Sequence, residues 1–181
     1  MNIVLIGPRG VGKSSLSRHL SLLTRRPVVA TDLLISYEND GLPIPDLLQR
    51  HHGDWRRFRD LEYAVVEKVA RLDHLIVDAG GGVVVDLDPE GGECFSHRKI
   101  AALKRNGFLI WLTGDLQLLA QKAARDAGRP ALSDALSEES IMRRREPFYR
   151  QAADLAIPVD GRKRMTLAKT LLGQLPFAAR L

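Results

Sequence analysis

The stretch GPRGVGKS, residues 7–14, restricts the fold of this 181-residue chain more than any other feature. It follows the continuous apolar run of residues 2–6 and precedes a helical pattern that begins near Lys13. The stretch fits the pattern G-x-x-x-x-G-K-[ST], in which glycines let backbone N–H groups turn toward phosphate oxygens. The N-terminus of the following helix adds a dipole that favours anions. A strand, a glycine-rich loop and a helix in this order predict a phosphate-binding loop.

The loop also predicts which residues contact a bound nucleotide. In this motif the lysine reaches the terminal phosphates and the hydroxyl that follows it ligates Mg²⁺, and these are the predicted roles of Lys13 and Ser14. The predicted nucleotide contacts are Gly10, Val11, Gly12, Lys13, Ser14 and Ser15. The competing interpretation is a strand-to-helix turn that binds no ligand.

Apolar runs and helical patterns alternate along the rest of the chain. Further strands are predicted at residues 26–31, 74–79, 107–113 and 155–159, and helices at about 54–72, 97–106, 115–127, 138–152 and 163–175. Strands buried on both faces have unbroken apolar runs, and alternation with helices favours a parallel sheet covered on both sides. Because 181 residues is the length of one ordinary domain, we predict a single α/β domain over residues 1–181.

Two segments interrupt this alternation. Residues 86–96 are rich in acidic residues, Gly and Pro, and residues 126–137 contain a Gly-Arg-Pro sequence. We predict that both segments are exposed loops and that the second is long enough to act as a lid.

The charge distribution argues against a nucleic-acid-binding protein. Lys and Arg outnumber Asp and Glu by 27 to 22, but the basic residues are scattered, without a basic tail or an aromatic-basic repeat. The chain also has no apolar run near the roughly 18 residues that a membrane span needs. Its single cysteine, Cys94, has no partner for an intramolecular disulfide. We therefore expect a cytoplasmic protein without nucleic-acid or membrane partners.

Five short motifs resemble those of shikimate kinases in order and approximate spacing. They are TDLLI, WRRFRDLE, GGG, GRPAL and RREPFY, and together with the phosphate loop they span most of the chain. The resemblance implies a small monomeric P-loop kinase of the nucleoside-monophosphate-kinase type. Its fold would be a five-stranded parallel sheet of order 2-3-1-4-5 flanked by helices, with a substrate-binding segment at about 32–62 and a lid at about 126–137. Its reaction would transfer the γ-phosphoryl group of ATP, with Mg²⁺, to the 3-hydroxyl of shikimate, a step of aromatic amino-acid biosynthesis.

The same motifs imply roles for residues on the substrate side. Asp32 matches the carboxylate that holds the shikimate hydroxyls near the attacking oxygen, where it orients the substrate and secondarily acts as a base. Arg59 and Arg145 match the two arginines that bind the shikimate carboxylate. The glycines that let the backbone approach the substrate correspond to Gly80, Gly81 and Gly82. A ring acid with hydroxyls needs planar bidentate cations at one end and an acceptor at the other, which agrees with these assignments.

On the nucleotide side the resemblance implies two further contacts. Arg129 of GRPAL matches the lid arginine that meets the ATP phosphates, and it would act in catalysis together with Lys13 and Asp32. Lys122 occupies the position where the family commonly has an arginine that stacks on adenine. A lysine can cover the base with its aliphatic stem but stacks less well.

Several of these residues have a plain structural alternative. Arg59 could pair with Glu62, one helical turn away, and serve only the surface. Asp32 could cap a helix that begins at Leu33. In the run Arg143 to Arg145, one or two side chains are expected to be solvated.

The chain departs from the family pattern at two positions. Shikimate kinases usually have an Asp-x-Asp pair at the end of the second strand, and the first of these positions is Ala30 here. The third strand instead ends with Asp78, where the family more often has a small or uncharged residue. Our hypothesis is that the carboxylate associated with Mg²⁺ has moved from the second strand to Asp78. The alternative is that Asp78 pairs with a neighbouring Arg or Lys.

Two other functions remain open from the sequence. The enzyme could phosphorylate a related polyol acid, such as quinate or an aminoshikimate, if the missing aspartate and the longer segment 86–96 reshape the pocket. A protein that binds nucleotide or a shikimate-like ligand as a regulator, without turnover, is the second alternative. The presence of Lys13, Ser14, Asp32, Arg59, Arg129 and Arg145 together argues against it.

Overall fold

The computed structural model describes residues 1–124 and 137–176. The strands are β1 (Asn2–Ile6), β2 (Val28–Ala30), β3 (Ile76–Asp78), β4 (Val85–Leu87), β5 (Glu93–Phe95), β6 (Gly107–Thr113) and β7 (Leu155–Pro158). The helices are α1 (Lys13–Thr24), α2 (Thr31–Tyr37), α3 (Ile44–Arg50), α4 (Trp55–Ala70), α5 (His97–Lys104), α6 (Leu116–Ala124), α7 (Glu138–Ala152) and α8 (Arg164–Gln174).

Five of the strands form one parallel sheet in the order β2-β3-β1-β6-β7. The predicted order 2-3-1-4-5 numbered only the strands of this sheet. Because β4 and β5 form a separate antiparallel hairpin, the last two sheet strands are numbered 6 and 7 here. The predicted α/β class with a five-stranded parallel sheet is confirmed.

Helices cover both faces of the sheet because its central strand is apolar on both sides. All residues of β1 are buried, and successive side chains of a strand point to opposite faces. Ile3 and Leu5 pack with residues of α1 and α8, whereas Val4 and Ile6 pack with residues of α4 and α5. The hydrophobic core therefore has two layers, and the carboxyl ends of the strands meet at one edge of the sheet.

The structure differs from the sequence prediction in two segments. Helix α3 was not predicted, and α2 was considered only as a helix from Leu33 that Asp32 could cap, because each has only seven residues and too little periodicity to be recognised. The predicted loop at 86–96 instead forms most of the β4–β5 hairpin: its turn at 89–92 is exposed as predicted, whereas Ser96 at its end is fully buried. Except for Ser137, the predicted lid at 126–137 lies outside the described residues.

None of the helices in the described ranges is long and apolar enough to cross a membrane.

Candidate active site

The phosphate loop connects β1 to α1 as the sequence predicts. The ammonium group of Lys13 donates to the carbonyl oxygens of Gly7 at 2.8 Å and Pro8 at 3.0 Å. Gly12 caps α1 with a left-handed φ of 98°, and Gly7 has φ 142°. A Cβ on Gly7 would lie 2.7 Å from the carbonyl oxygen of Leu112, so a side chain at this position is excluded. The loop is thus wound around the lysine and packed against β6.

A cavity of about 550 Å³ opens beside the loop. The predicted site residues that line it are Gly10, Gly12, Lys13, Ser14, Ser15, Asp32, Asp78, Gly80 and Gly81. Val11 does not line it; its side chain is fully buried in the core, so a contact from this residue can come only from its backbone. Lys122 is exposed and lies beside Gly10. The predicted contact of Arg129 lies outside the described residues.

A second cavity of about 260 Å³ lies on the other side of Asp32. Its charged lining residues are Arg9, Asp32, Arg59, Glu62 and Arg145, and its aromatic ones are Trp55 and Phe58. Asp32, Leu33 and Gly81 line both cavities, so the two spaces adjoin. The structure therefore brings the predicted substrate residues together and sets them next to the phosphate loop.

The three glycines after β3 make room for side chains of the site. A Cβ on Gly80 would lie 3.1 Å from Cγ of Asp32 and closer still to its Oδ1. A Cβ on Gly82 would lie 3.0 Å from Cζ of Arg59 and closer still to its Nη1. Gly81 accepts a hydrogen bond from the hydroxyl of Tyr149, which ties the glycine turn to α7. Asp32 and Arg59 can hold their positions only because positions 80 and 82 lack side chains.

The alternative role of Asp32 as a helix cap is wrong. Helix α2 begins at Thr31 rather than Leu33, and its N-cap is Ala30, at which no side chain of the described residues makes a capping hydrogen bond. The hydroxyl of Thr31 instead accepts a hydrogen bond from the N–H of Gly80 at 2.9 Å. Asp32 lies in the first turn with its carboxylate against Gly80, between the two cavities.

The alternative role of Arg59 at the surface is also wrong, although its pairing with Glu62 is correct. Arg59 Nη1 donates to Glu62 Oε2 at 2.9 Å, and both side chains are buried. Lys99 of α5 donates to the same oxygen at 2.5 Å and to the carbonyl oxygen of Val85 at 2.5 Å. Burial alone raises the pKa of Glu62, but the charges of Lys99 and Arg59 outweigh it and hold that pKa below its ordinary value. The buried Nε of Arg59 has no acceptor among the described residues.

Replacement of Lys99 by methionine tests this buried cluster. Lys99 is 0% exposed, so among the described residues its loss leaves Glu62 with Arg59 as its ion-pair partner and the carbonyl oxygen of Val85 without a side-chain donor. We expect the free energy of unfolding to fall by about 3 kcal/mol in urea denaturation, the lower end for a broken buried pair, because Arg59 still faces Glu62. The control is Lys104→Met on the same helix, whose exposed pair with Asp154 is expected to contribute about 1 kcal/mol or less. Equal losses in the two variants would contradict the coupling.

Asp78 and Ala30 are register partners on the adjacent parallel strands β3 and β2. Both line the larger cavity together with Lys13 and Ser14. Asp78 is 6% exposed, and within residues 1–124 and 137–176 no Arg or Lys pairs with it. The alternative that Asp78 forms an ion pair with a neighbouring cation is therefore wrong for the described part of the chain.

The three consecutive arginines of α7 have different environments. Arg143 pairs with Glu139 at the surface, and Arg144 is also largely exposed. Arg145 is 4% exposed, lines the smaller cavity and makes two hydrogen bonds to the carboxylate of Glu93. This agrees with the expectation that one or two of the three are solvated, and Arg145, the one matched to a substrate arginine, lines the cavity.

Sequence reasoning missed three residues around this site, Arg9, Lys99 and Glu93, and it missed the burial of Glu62. Arg9 of the phosphate loop lines the smaller cavity, and its Nη1 lies 3.6 Å from Oε1 of Glu138 at the start of α7. The spacing of Glu62 from Arg59 was a usable signal for their pairing. Lys99 and Glu93 left no local signal, since their partners are 37 and 52 residues away in the chain.

Comparisons with known proteins agree with this arrangement. The family model "Shikimate kinase" matches residues 9–176. A shikimate kinase of Leptospira borgpetersenii serovar Hardjo-bovis is 40% identical over 176 residues, which cover 97% of this chain and 98% of the relative. One from Leptospira biflexa serovar Patoc is 41% identical over 153 residues, covering 84% and 83% of the two chains.

A solved structure of similar fold is a shikimate kinase from Acinetobacter baumannii in complex with shikimate. It superposes with a TM-score of 0.81 at 28% identity and covers 99% of this chain and 94% of that one. A phosphate loop, a parallel sheet of this order and a near full-length match in sequence all agree, and the chain belongs to the shikimate kinase family.

Proposed function

We propose that this kinase transfers the γ-phosphoryl group of ATP to the 3-hydroxyl of shikimate in aromatic amino-acid biosynthesis. The observation that carries the proposal is the position of Asp32, which lines both the cavity beside the phosphate loop and the cavity that contains Arg59 and Arg145. A nucleotide in the first cavity and a small acid in the second would meet at this carboxylate. The relatives named shikimate kinase and the shikimate complex of the Acinetobacter baumannii enzyme support the choice of acid.

The site residues supply the interactions that this reaction requires. Arg59, whose buried Nε has no acceptor in the described part of the chain, and Arg145 offer planar donors to the carboxylate of the acid. Asp32 accepts a hydrogen bond from the attacking hydroxyl, orients it first and takes its proton second. Phosphoryl transfer depends mainly on positioning and on neutralising charge, and Lys13 serves the second purpose at the phosphates. The lid arginine, Arg129, is proposed to add a further positive charge there.

We propose that Mg²⁺ is held by Ser14 and Asp78. Mg²⁺ prefers oxygen ligands and is usually bound by one or two carboxylates together with substrate phosphates and water. A buried carboxylate that faces the cavity of Ser14 and pairs with no described cation fits this requirement. The ion, when bound, neutralises charge on the phosphates. Because Ala30 and Asp78 are register partners, a carboxylate at either position can serve the same space.

Replacement of Asp78 by asparagine is expected to raise the Mg²⁺ concentration for half-maximal turnover by about tenfold or more, as is typical when a group supporting a metal is lost. The same change should weaken the gain in ATP affinity that Mg²⁺ provides, measured by calorimetry without shikimate. The matched variant adds Ala30→Asp to Asp78→Asn, which returns a carboxylate to the register partner. The Mg²⁺ concentration for half-maximal turnover should then return toward that of the wild type. An unchanged Mg²⁺ dependence in Asp78→Asn would refute the assignment.

The function itself is tested by ADP release in a coupled assay with ATP, Mg²⁺ and shikimate. We expect turnover with shikimate and much lower turnover with quinate or an aminoshikimate at equal concentration. No ADP above the background without acid would favour a regulator, and faster turnover with another acid would change the assigned substrate.

The proposal includes a monomer in the cytoplasm, without nucleic-acid or membrane partners, as the family implies. Sedimentation velocity of the purified chain tests the oligomeric state.

A further inference from the structure

The β4–β5 hairpin is the part of the chain to which the sequence assigned no role. Its turn is closed by Asp88, whose carboxylate accepts a hydrogen bond from the N–H of Gly92 at 2.7 Å. Its base is held by Asp86, which accepts hydrogen bonds from Ser96 at 2.7 Å and from Arg98. The hairpin is therefore a folded unit with a fixed position rather than a surface loop.

This hairpin contacts both α4 and α7, the helices that carry two of the arginines lining the smaller cavity. Arg56 of α4 donates to the carbonyl oxygens of Leu87 at 3.3 Å and Asp88 at 2.7 Å. On the opposite side the ring of Phe95 packs against that of Phe148 of α7, with centroids 6.1 Å apart. The hairpin thus has a defined orientation relative to both α4 and α7.

Glu93 of β5 binds the cavity arginine of α7 directly. Arg145 donates to its carboxylate from Nε, at 3.0 Å, and from Nη2. The side edge of the guanidinium, which these two nitrogens form, is therefore fully engaged. Arg144 donates to the same carboxylate from Nε at 3.1 Å. Burial raises the pKa of Glu93, but hydrogen bonds and charges from Arg145 and Arg144 outweigh it and hold that pKa below its ordinary value. The Glu93 carboxylate is consequently charged at neutral pH.

The arrangement around Arg145 distinguishes its two edges. Arg145 lines the smaller cavity, whereas Glu93 is not among the residues that line it. Across the described residues, Nη1 of Arg145 has no hydrogen-bond acceptor, whereas Nε and Nη2 both bond to Glu93. A guanidinium can donate to a second carboxylate from its outer edge, formed by Nη1 and Nη2, while the first carboxylate occupies its side edge.

We propose that Glu93 is a positioning residue that fixes the side edge of Arg145 and so turns the outer edge of its guanidinium toward the carboxylate of the substrate. The inference rests on the proposed function, in which the smaller cavity binds shikimate. It gives the hairpin a role: the hairpin carries the group that orients one of the two arginines that select an acid.

Glu93 also has an opposing effect, because its negative charge repels the carboxylate of the substrate. The two carboxylates would be separated by the width of the guanidinium and lie beside a cavity open to solvent. Both the distance and the water weaken their repulsion. Replacement by glutamine, in contrast, leaves one neutral amide oxygen where two carboxylate oxygens accepted, so the buried Nε and Nη2 of Arg145 lose the paired, charged acceptor that fixes them. We expect the loss of orientation to exceed the relief of repulsion.

The test compares shikimate with shikimate methyl ester, which keeps the ring and hydroxyls but lacks the charge. For Glu93→Gln we expect kcat/KM for the acid to fall about tenfold or more through KM, because a misplaced binding group weakens productive contacts. The kcat/KM for the ester and the KM for ATP should stay nearly unchanged. The ratio of kcat/KM for the acid to that for the ester should therefore fall as much as kcat/KM for the acid. Equilibrium binding of the acid, followed by the fluorescence of Trp55 in the cavity, should weaken in parallel.

The control is Glu90→Gln, the same chemical change in the exposed turn of the hairpin. Glu93→Asp, which keeps the charge on a shorter side chain, should lie between the wild type and Glu93→Gln. Equal losses for acid and ester would mean that Glu93 only supports the fold, and an increased preference for the acid would mean that it competes with the substrate; either result overturns the inference. A wild-type chain that fails to distinguish acid from ester contradicts the proposed function instead.

Discussion

Replacement of Lys13 by methionine is expected to lower kcat by about a thousandfold, in the range seen when a preorganised charge at a reacting oxygen is removed. Lys13 is the cation of the phosphate loop, and its ammonium group is held at the loop by the carbonyl oxygens of Gly7 and Pro8. Methionine preserves much of the length and the apolar stem but cannot stabilise negative charge that develops on the transferred group. The measurement is steady-state ADP release at saturating ATP, Mg²⁺ and shikimate.

Two comparisons make this result specific. Lys169→Met changes an exposed lysine of α8, lowers the net charge by the same amount and should leave kcat unaltered. Binding of ATP by Lys13→Met, measured by calorimetry, should weaken much less than kcat, because the lysine interacts more strongly with the transition state than with the bound nucleotide. A variant that keeps kcat within tenfold of the wild type would contradict the role of Lys13.

The fold was predictable from the sequence wherever local pattern and tertiary environment agree. The run at residues 2–6 is apolar at every position because its strand is buried on both faces, and the glycines that follow are required by backbone geometry. The hairpin at 86–96 was not predictable in this way. Its strands have three residues each, and hydrogen bonds to α4 and α7 hold it in place. Such contacts over long sequence separations leave no periodic signal.

The candidate site shows the same division. Motifs identified Asp32, Arg59 and Arg145, and the structure places all three around one cavity. The sequence could not indicate that Arg59 and Glu62 are buried, because their burial depends on Lys99, which packs against them from another helix. The role of the glycines was also only partly predictable. The sequence predicted that they let the backbone approach the substrate, but their proximity to Asp32 and Arg59 became apparent only in three dimensions.

Replacement of Asp32 by asparagine is expected to lower kcat by about a hundredfold to a thousandfold, at the lower end of the range for loss of a general base. The effect should stay below that of a fully required base, since the transition state of phosphoryl transfer is loose and Asn can still accept a hydrogen bond from the hydroxyl. The KM for shikimate should rise less than tenfold, because Arg59 and Arg145 still bind the carboxylate. Asp40→Asn, which alters an exposed ion pair with Arg50, is the control.

Gly80→Ala separates the position of this carboxylate from its charge. The new methyl group would lie 3.1 Å from Cγ of Asp32, so the carboxylate must move while its charge is retained. If orientation is the main contribution, kcat of Gly80→Ala should fall nearly as far as that of Asp32→Asn, and the Mg²⁺ requirement of both should stay normal, unlike that of Asp78→Asn. In the control, Gly173→Ala in α8, the new methyl group meets no atom of the described residues within 4 Å, and this variant should keep full activity. A normal kcat in Gly80→Ala would show that charge near the attacking hydroxyl suffices, and that Asp32 acts as a base before it acts as an orienting group.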